Sequence, residues 1–134
     1  GYLEALETAG LSVDADLIVP AHFEVESAEA AVDALVRRGV RFDGVVAASD
    51  QIALGAVRAL QHAGLSVPGD VSVIGFDNVP FSRYSRPALS TIAQDTMKAG
   101  RLLVSKLLDN SGDAVGRSER IPTDLIVRES CGMA

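Results

Sequence analysis

The sequence predicts an α/β fold, an open parallel sheet with flanking helices, and three observations carry that expectation. Strand-like and helix-like segments alternate along the 134 residues. The run Val45-Val46-Ala47-Ala48 is apolar at successive positions, as in a parallel strand buried on both faces. The helical stretches between strands are about ten to fifteen residues long, enough for right-handed crossovers between parallel strands.

Taken in order, Leu3, Leu6 and Ala9 share one helical face, and Gly10 closes that helix. The stretch from Gly1 to Glu7 already reads as helix interior, with neither an initiator Met nor a charged leader, so a fragment cut within a helix is expected. Leu17-Ile18-Val19-Pro20-Ala21 is a short β-prone run ending at His22-Phe23. A helix over 27–38 follows, with Ala28, Ala31, Val32 and Leu35 on its apolar face, Glu26 and Glu29 at its start and Arg37-Arg38 in its last turn. After the strand at Val45–Ala48, Asp50 opens a helix over 51–63, its stripe made by Ala53, Ala56, Val57 and Leu60 and its end marked by Gly64. Val71–Phe76 is the next strand. A Pro-, Ser- and Arg-rich loop leads to a short strand at Leu89–Ala93, and long ordered loops are usually functional. A helix over 96–109 carries Met97, Val104, Leu107 and Leu108. Asn110-Ser111-Gly112-Asp113 marks a turn, and Ile121–Val127 reads as the last strand.

The bulk properties narrow the function classes. With 48% apolar and 22% charged residues the chain has globular composition, and its length suits one domain. No apolar run approaches the length of a membrane span. A formal charge of −6 argues against this segment binding nucleic acid by itself, because such binding draws on Lys and Arg replacing counterions at phosphates. Cys131 is the only cysteine, which excludes an internal disulfide and a thiolate metal cluster. His22 and His62 do not suggest a metal site. No GxGxxG, GxxxxGK, GxSxG or HExxH motif occurs, so neither a cofactor nor catalysis is expected.

Ligands of open parallel sheets bind outside the carboxyl ends of the strands. Three strand ends release His22-Phe23, Ser49-Asp50 and Asp77-Asn78 on that edge, and Gln94 follows the short strand. A carboxylate such as Asp77 accepts hydrogen bonds from two adjacent hydroxyls, and a ring such as Phe23 covers the C–H face of a sugar. Ser49 and Gln94 add short-range donors and acceptors, so the set suits a neutral polyol. Plainer roles stand beside these. Asp50 reads most simply as a helix N-cap, with Ser49 sharing that work; Asp77 can bind its own turn backbone, Phe23 can be core, and Gln94 can cap or face solvent.

Four motifs carry a resemblance. Asp50-Gln51-Ile52-Ala53-Leu54-Gly55-Ala56 resembles the DxxAxGA helix opening of the lactose-repressor (LacI/GalR) family. Gly64 to Asn78 is similar to that family's GLxVPxDVSVIGFDD segment, Pro87 to Ile92 to its PPLTTI turn, and Ile121 to Ser130 to its closing strand. The resemblance implies the C-terminal lobe of a type I periplasmic-binding-protein-like fold, with effector held between two lobes. It implies an effector lobe over 1–93, incomplete at its N-terminus and lacking an effector-binding arginine upstream of Gly1. A crossover segment and helix over 94–112 would pack on the N-terminal lobe, and 113–134 would return to the last strand. The hinge crossings would lie near Thr91–Gln94 and Gly112–Arg117.

By position, the resemblance assigns effector contacts to Asp77, Phe23, Gln94 and, where many members have Asn, Ser49. Asp50 and Asn78 would support them. The dimer surface would include Leu54, Phe81 and Arg83. The implied protein is a cytoplasmic, homodimeric repressor. It would respond to a small effector, expected to be a sugar, and reach operator DNA through a helix-turn-helix outside this chain. The rival reading is a secreted sugar-binding protein of a transport system, which shares the fold.

Overall fold

A computed structural model describes residues 1–108 and 118–132. Helix α1 (Tyr2–Thr8) is followed by a 3-10 turn at Ala15–Leu17, then α2 (Val25–Arg37), β1 (Gly44–Val46), α3 (Asp50–His62) and β2 (Ser72–Asp77). A second 3-10 turn at Pro80–Arg83 precedes β3 (Ser90–Gln94), α4 (Thr96–Leu108), β4 (Thr123–Ile126) and a last 3-10 turn at Glu129–Cys131. The expected turn at Asn110–Asp113 and the crossing at Gly112–Arg117 lie outside the described residues.

The four strands form one sheet in the order β1-β2-β3-β4. β1, β2 and β3 run parallel, and Asp77 of β2 stands opposite Ala93 of β3. β4 is antiparallel to β3, pairing Gln94 with Thr123. The parallel expectation therefore holds for the three strands joined by crossovers. β4 is the exception, since it runs antiparallel to β3.

The core lies on one face of the sheet. Helices α2 and α3 pack on each other, and α3 covers β2. Ala53, Ala56, Val57, Ala59 and Leu60 of α3 meet Val73 of β2, Leu89 and Val32 of α2. Ala and Gly dominate this interface because the helices approach closely. A Cβ on Gly55 would overlap the carbonyl oxygen of Val25 and sit 2.8 Å from Ala28 Cβ. On the rim of the same pair, Glu29 reaches Arg58 (3.4 Å) and His62 (3.1 Å).

Two expectations are corrected. The run Leu17–Ala21 is not a strand: it begins in the 3-10 turn and continues as unpaired chain. A β-prone sequence becomes a strand only against a hydrogen-bonding neighbour, and no described strand lies beside it. Nor is the Val45–Ala48 strand buried on both faces, since Val46 is 71% exposed while Ala47 is buried. Both departures meet at one place, an apolar slot of about 790 Å3 between residues 17–21, α2 and β1, lined by Ile18, Ala31, Val32, Val45 and Ile52 among others. Ser72 N donates to Asp43 O and Ala47 N to Ile74 O, so alternation along β1 turns the polar groups of Gly44 and Val46 toward the slot.

Candidate functional site

Parallel pairing sets the carboxyl ends of β1, β2 and β3 on one edge, where loops rather than helices meet solvent. At that edge β2 ends on Asp77, which is exposed, and β3 ends on Gln94, also exposed. Gln94 Nε2 donates to Asp77 Oδ1 at 2.7 Å. The second Asp77 oxygen has no protein partner among the described hydrogen bonds, so the pair presents a carboxylate acceptor beside an amide acceptor. That is a two-point receptor for adjacent hydroxyls.

The backbone that holds Asp77 is unusual. Asp77 has φ 109° and Asn78 φ 55°, two consecutive non-glycine residues in the positive region. Such conformations cost on the order of 1–3 kcal/mol each and persist only where the surroundings enforce them. Here the enforcement is visible. Asn78 N donates to Thr91 Oγ1 (3.2 Å), Val79 N donates to Asp50 Oδ2 (2.8 Å), and the Thr91 hydroxyl donates to Asp50 Oδ1. Asp50 and Thr91 are fully buried. Gly75 makes room for them, because a Cβ there would overlap Asp50 Oδ1.

Asp50 is thus not the N-cap of α3. That role belongs to Ser49, whose hydroxyl accepts from Ile52 N at 3.2 Å and which is only 3% exposed. The shift of one residue has a physical reason: Ser49 has the extended φ/ψ of a cap, while Asp50, already helical, aims its carboxylate into the β2–β3 corner. Asn78 Oδ1 accepts from Arg128 Nη2 at 2.7 Å, and Arg128 Nη1 also donates to Leu89 O (2.6 Å) and Ser82 Oγ (3.0 Å).

Phe23, 66% exposed, follows the unpaired 17–21 segment beside His22, whose backbone N donates to Ser27 Oγ at 2.9 Å. Leu54 is half-buried against the core, whereas Phe81 and Tyr84 are 74% and 77% exposed and flank the exposed Arg83. The sequence reading missed Thr91, Ser82 and Arg128. For Thr91 and Arg128 the one signal was a polar residue at positions that the alternation of a buried strand or tail should have made apolar; Ser82, in a 3-10 turn, gave none. The slot beside β1 is lined mostly by aliphatic residues, with Arg41 and Asp43 as its charged members, so its chemistry does not suit a polyol. Among the described residues no group of three or more His, Cys, Asp or Glu is placed to hold a metal ion, and no helix is long and apolar enough to cross a membrane.

A half-open sheet with a polar receptor at its strand ends and an unpacked helix leading away from it defines the class: one lobe of a periplasmic-binding-protein-like domain. The profile of that domain matches residues 1–131. The chain is 37% identical over 132 residues to the transcriptional repressor CytR of Escherichia coli, covering 97% of this chain and 39% of that protein. Among solved structures, it superposes on the transcriptional regulator CelR in complex with cellobiose (TM-score 0.84, 34% identity, 96% of this chain and 40% of the other). It also superposes on the lac repressor dimer bound to operator and the anti-inducer ONPF (TM-score 0.85, 27% identity, 98% and 46%). The chain belongs to the LacI family through its periplasmic-binding-protein-like domain. It spans about a third of the length of the curated relatives it matches.

Proposed function

We propose that this chain is the effector-binding and dimerisation lobe of a LacI-family transcriptional repressor that responds to a sugar or a related polyol. The observation that carries the reading is the Asp77–Gln94 pair, joined at 2.7 Å on the exposed carboxyl edge of the sheet with a carboxylate oxygen still open. Asp77 and Gln94 take adjacent hydroxyls, and Phe23 covers the C–H face of the ring. Ser49, 3% exposed and accepting from Ile52 N, is assigned to capping instead. The cellobiose complex of a structural relative supports a sugar as the class of ligand.

In this reading α4 crosses to a companion lobe. Met97, Leu103, Val104, Leu107 and Leu108 are between 55% and 81% exposed, a stripe that solvent does not favour. The slot beside β1 takes a further strand of the same lobe, which would pair the polar groups of Gly44 and Val46. Phe81, Arg83 and Tyr84, with Leu54 of α3, are assigned to a dimer face. Operator contact belongs to a helix-turn-helix outside this chain, in keeping with the charge of −6 here. Effector between the lobes favours one closure state and so alters how two DNA-binding heads meet their half-sites. The repressor names of the relatives favour this reading, and a cytoplasmic location with it, over a secreted carrier.

The test is a calorimetric titration of the intact protein with D-ribose, cellobiose and lactose. At least one is expected to bind, and at about 100-fold excess over its Kd it should stabilise the fold by about 2.7 kcal/mol. Asp77→Ala should abolish that binding with the fold retained. Unchanged affinity in Asp77→Ala would remove the assignment, and silence from all three sugars would count against the ligand class.

A further inference from the structure

We propose that Arg128 is a positioning residue for the effector site, and that the corner Asp77–Asn78 joins that site mechanically to the α4 excursion. The chain leaves the sheet at Gln94, runs through α4 and returns along β4 to Arg128. The two stems of that excursion fasten to adjacent residues. The outbound stem holds Asp77 through Gln94 Nε2 (2.7 Å), and the return stem holds Asn78 through Arg128 Nη2 (2.7 Å). A displacement of α4 relative to the sheet therefore pulls on the carboxylate that reads the ligand, and ligand on that carboxylate pulls on α4.

Arg128 suits this role by its shape. Its planar fork spans three acceptors from three segments: Asn78 Oδ1 at the end of β2, Ser82 Oγ in the 3-10 turn and Leu89 O before β3. Its own backbone is fastened as well, with Arg128 N donating to Ser90 Oγ at 2.8 Å. On the opposite side of the corner the buried Asp50 carboxylate takes Val79 N and the Thr91 hydroxyl. The corner thus sits between a guanidinium and a carboxylate, and this bracing holds Asp77 and Asn78 at positive φ. A lysine at 128 keeps the charge but cannot serve three acceptors in the plane of a fork.

The inference about ligand rests on the reading of Asp77 given above, but the bracing can be tested without any ligand. The amides of Asn78 and Val79 are both hydrogen-bonded and serve as local reporters of the corner. In the intact protein, Arg128→Lys should raise their hydrogen exchange by about tenfold or more, the loss of a charged hydrogen bond, while amides of α3 keep their protection. Asn78→Gly, which removes the acceptor and tolerates the backbone, should do the same to Val79 and serves if the lysine variant fails to fold. Exchange unchanged at the corner, or accelerated equally in α3, would overturn the positioning role. For whichever of D-ribose, cellobiose and lactose binds the intact protein, Arg128→Lys should weaken affinity by about tenfold without loss of stoichiometry. An unchanged affinity beside a loosened corner would overturn the link to the ligand. Silence from all three sugars would fault the effector reading and leave the exchange result to decide the bracing.

Discussion

The two sides of this sheet are held in different ways. On the β2–β3 side, Val73, Leu89, Leu60, Asp50, Thr91, Ser82 and Ser130 are all fully buried, and every polar member has a partner. On the β1 side, α1 buries no residue, Ile18 is 46% exposed and Val46 71%, and an apolar slot opens where a sheet would be expected to continue. The first side owes its order to contacts made within the chain. The second has the composition of an interior without the neighbours that would make it one, and that contrast separates what this lobe does alone from what it offers to others.

The largest effect should come from the ordered side. Leu60→Ala removes a fully buried side chain between α3, β2 and α2, and a loss of about 2–5 kcal/mol in urea unfolding is expected. A loss below about 1 kcal/mol would mean that the core is far looser than its burial implies.

Gly75→Ala sharpens the contrast within the same region. The added methyl would overlap Asp50 Oδ1 and stand 3.1 Å from Leu89 Cδ2, so the carboxylate must give up a position that serves Val79 and Thr91. We expect about 1–3 kcal/mol of destabilisation, with the Val79 amide losing protection in hydrogen exchange before α3 does. Full stability in this variant would show that the corner can relax at no cost.

The open side is probed by Leu107→Ser on α4, where Leu107 is 81% exposed. In the 134-residue chain the unfolding free energy should change by less than about 0.5 kcal/mol, as for an ordinary surface site. In the intact protein the cost should exceed about 1 kcal/mol if a companion lobe covers the helix. Light scattering of the 134-residue chain should report association through this stripe; a stable monomer would break the comparison.

The smallest effect concerns the turn that closes the α3–β2 connection. Ser66 donates to Asp70 Oδ2 through its hydroxyl (2.6 Å) and its backbone N (2.7 Å), and these bonds hold the Asp70 carboxyl below its ordinary value of 3.8. A depressed folded-state value means that the contribution is complete above 3.8 and fades as the pH falls through the lower folded value. Asp70→Asn should therefore narrow the difference in melting temperature between neutral and acidic solution, as read by calorimetry across that window. An identical acid limb would show that these two bonds do not favour the charged form.

Much of this was legible beforehand. The helical stripes Ala28–Val32–Leu35 and Ala53–Ala56–Val57–Leu60 lie in the buried faces of α2 and α3, and the strand ends carry Asp77 and Gln94 on one edge. Less legible was the division of labour between neighbours. Ser49 and Asp50 are both acceptable caps on paper, and only the packing of α3 against the β2–β3 corner turns one into the cap and the other into a buried brace. Arg128 looked like part of a closing strand, because nothing local to 121–130 announces acceptors 39 and 50 residues away.

The sequence alone determined the period of each element, the edge on which polar residues gather and the family to which the motifs point, since these depend on spacing along the chain. The tertiary structure decided the antiparallel return of β4, the fate of Leu17–Ala21 and the enforced positive φ at Asp77 and Asn78. Each of those depends on which distant backbone or side chain lies within hydrogen-bond reach, and reach is a property of the folded chain rather than of any window of its residues.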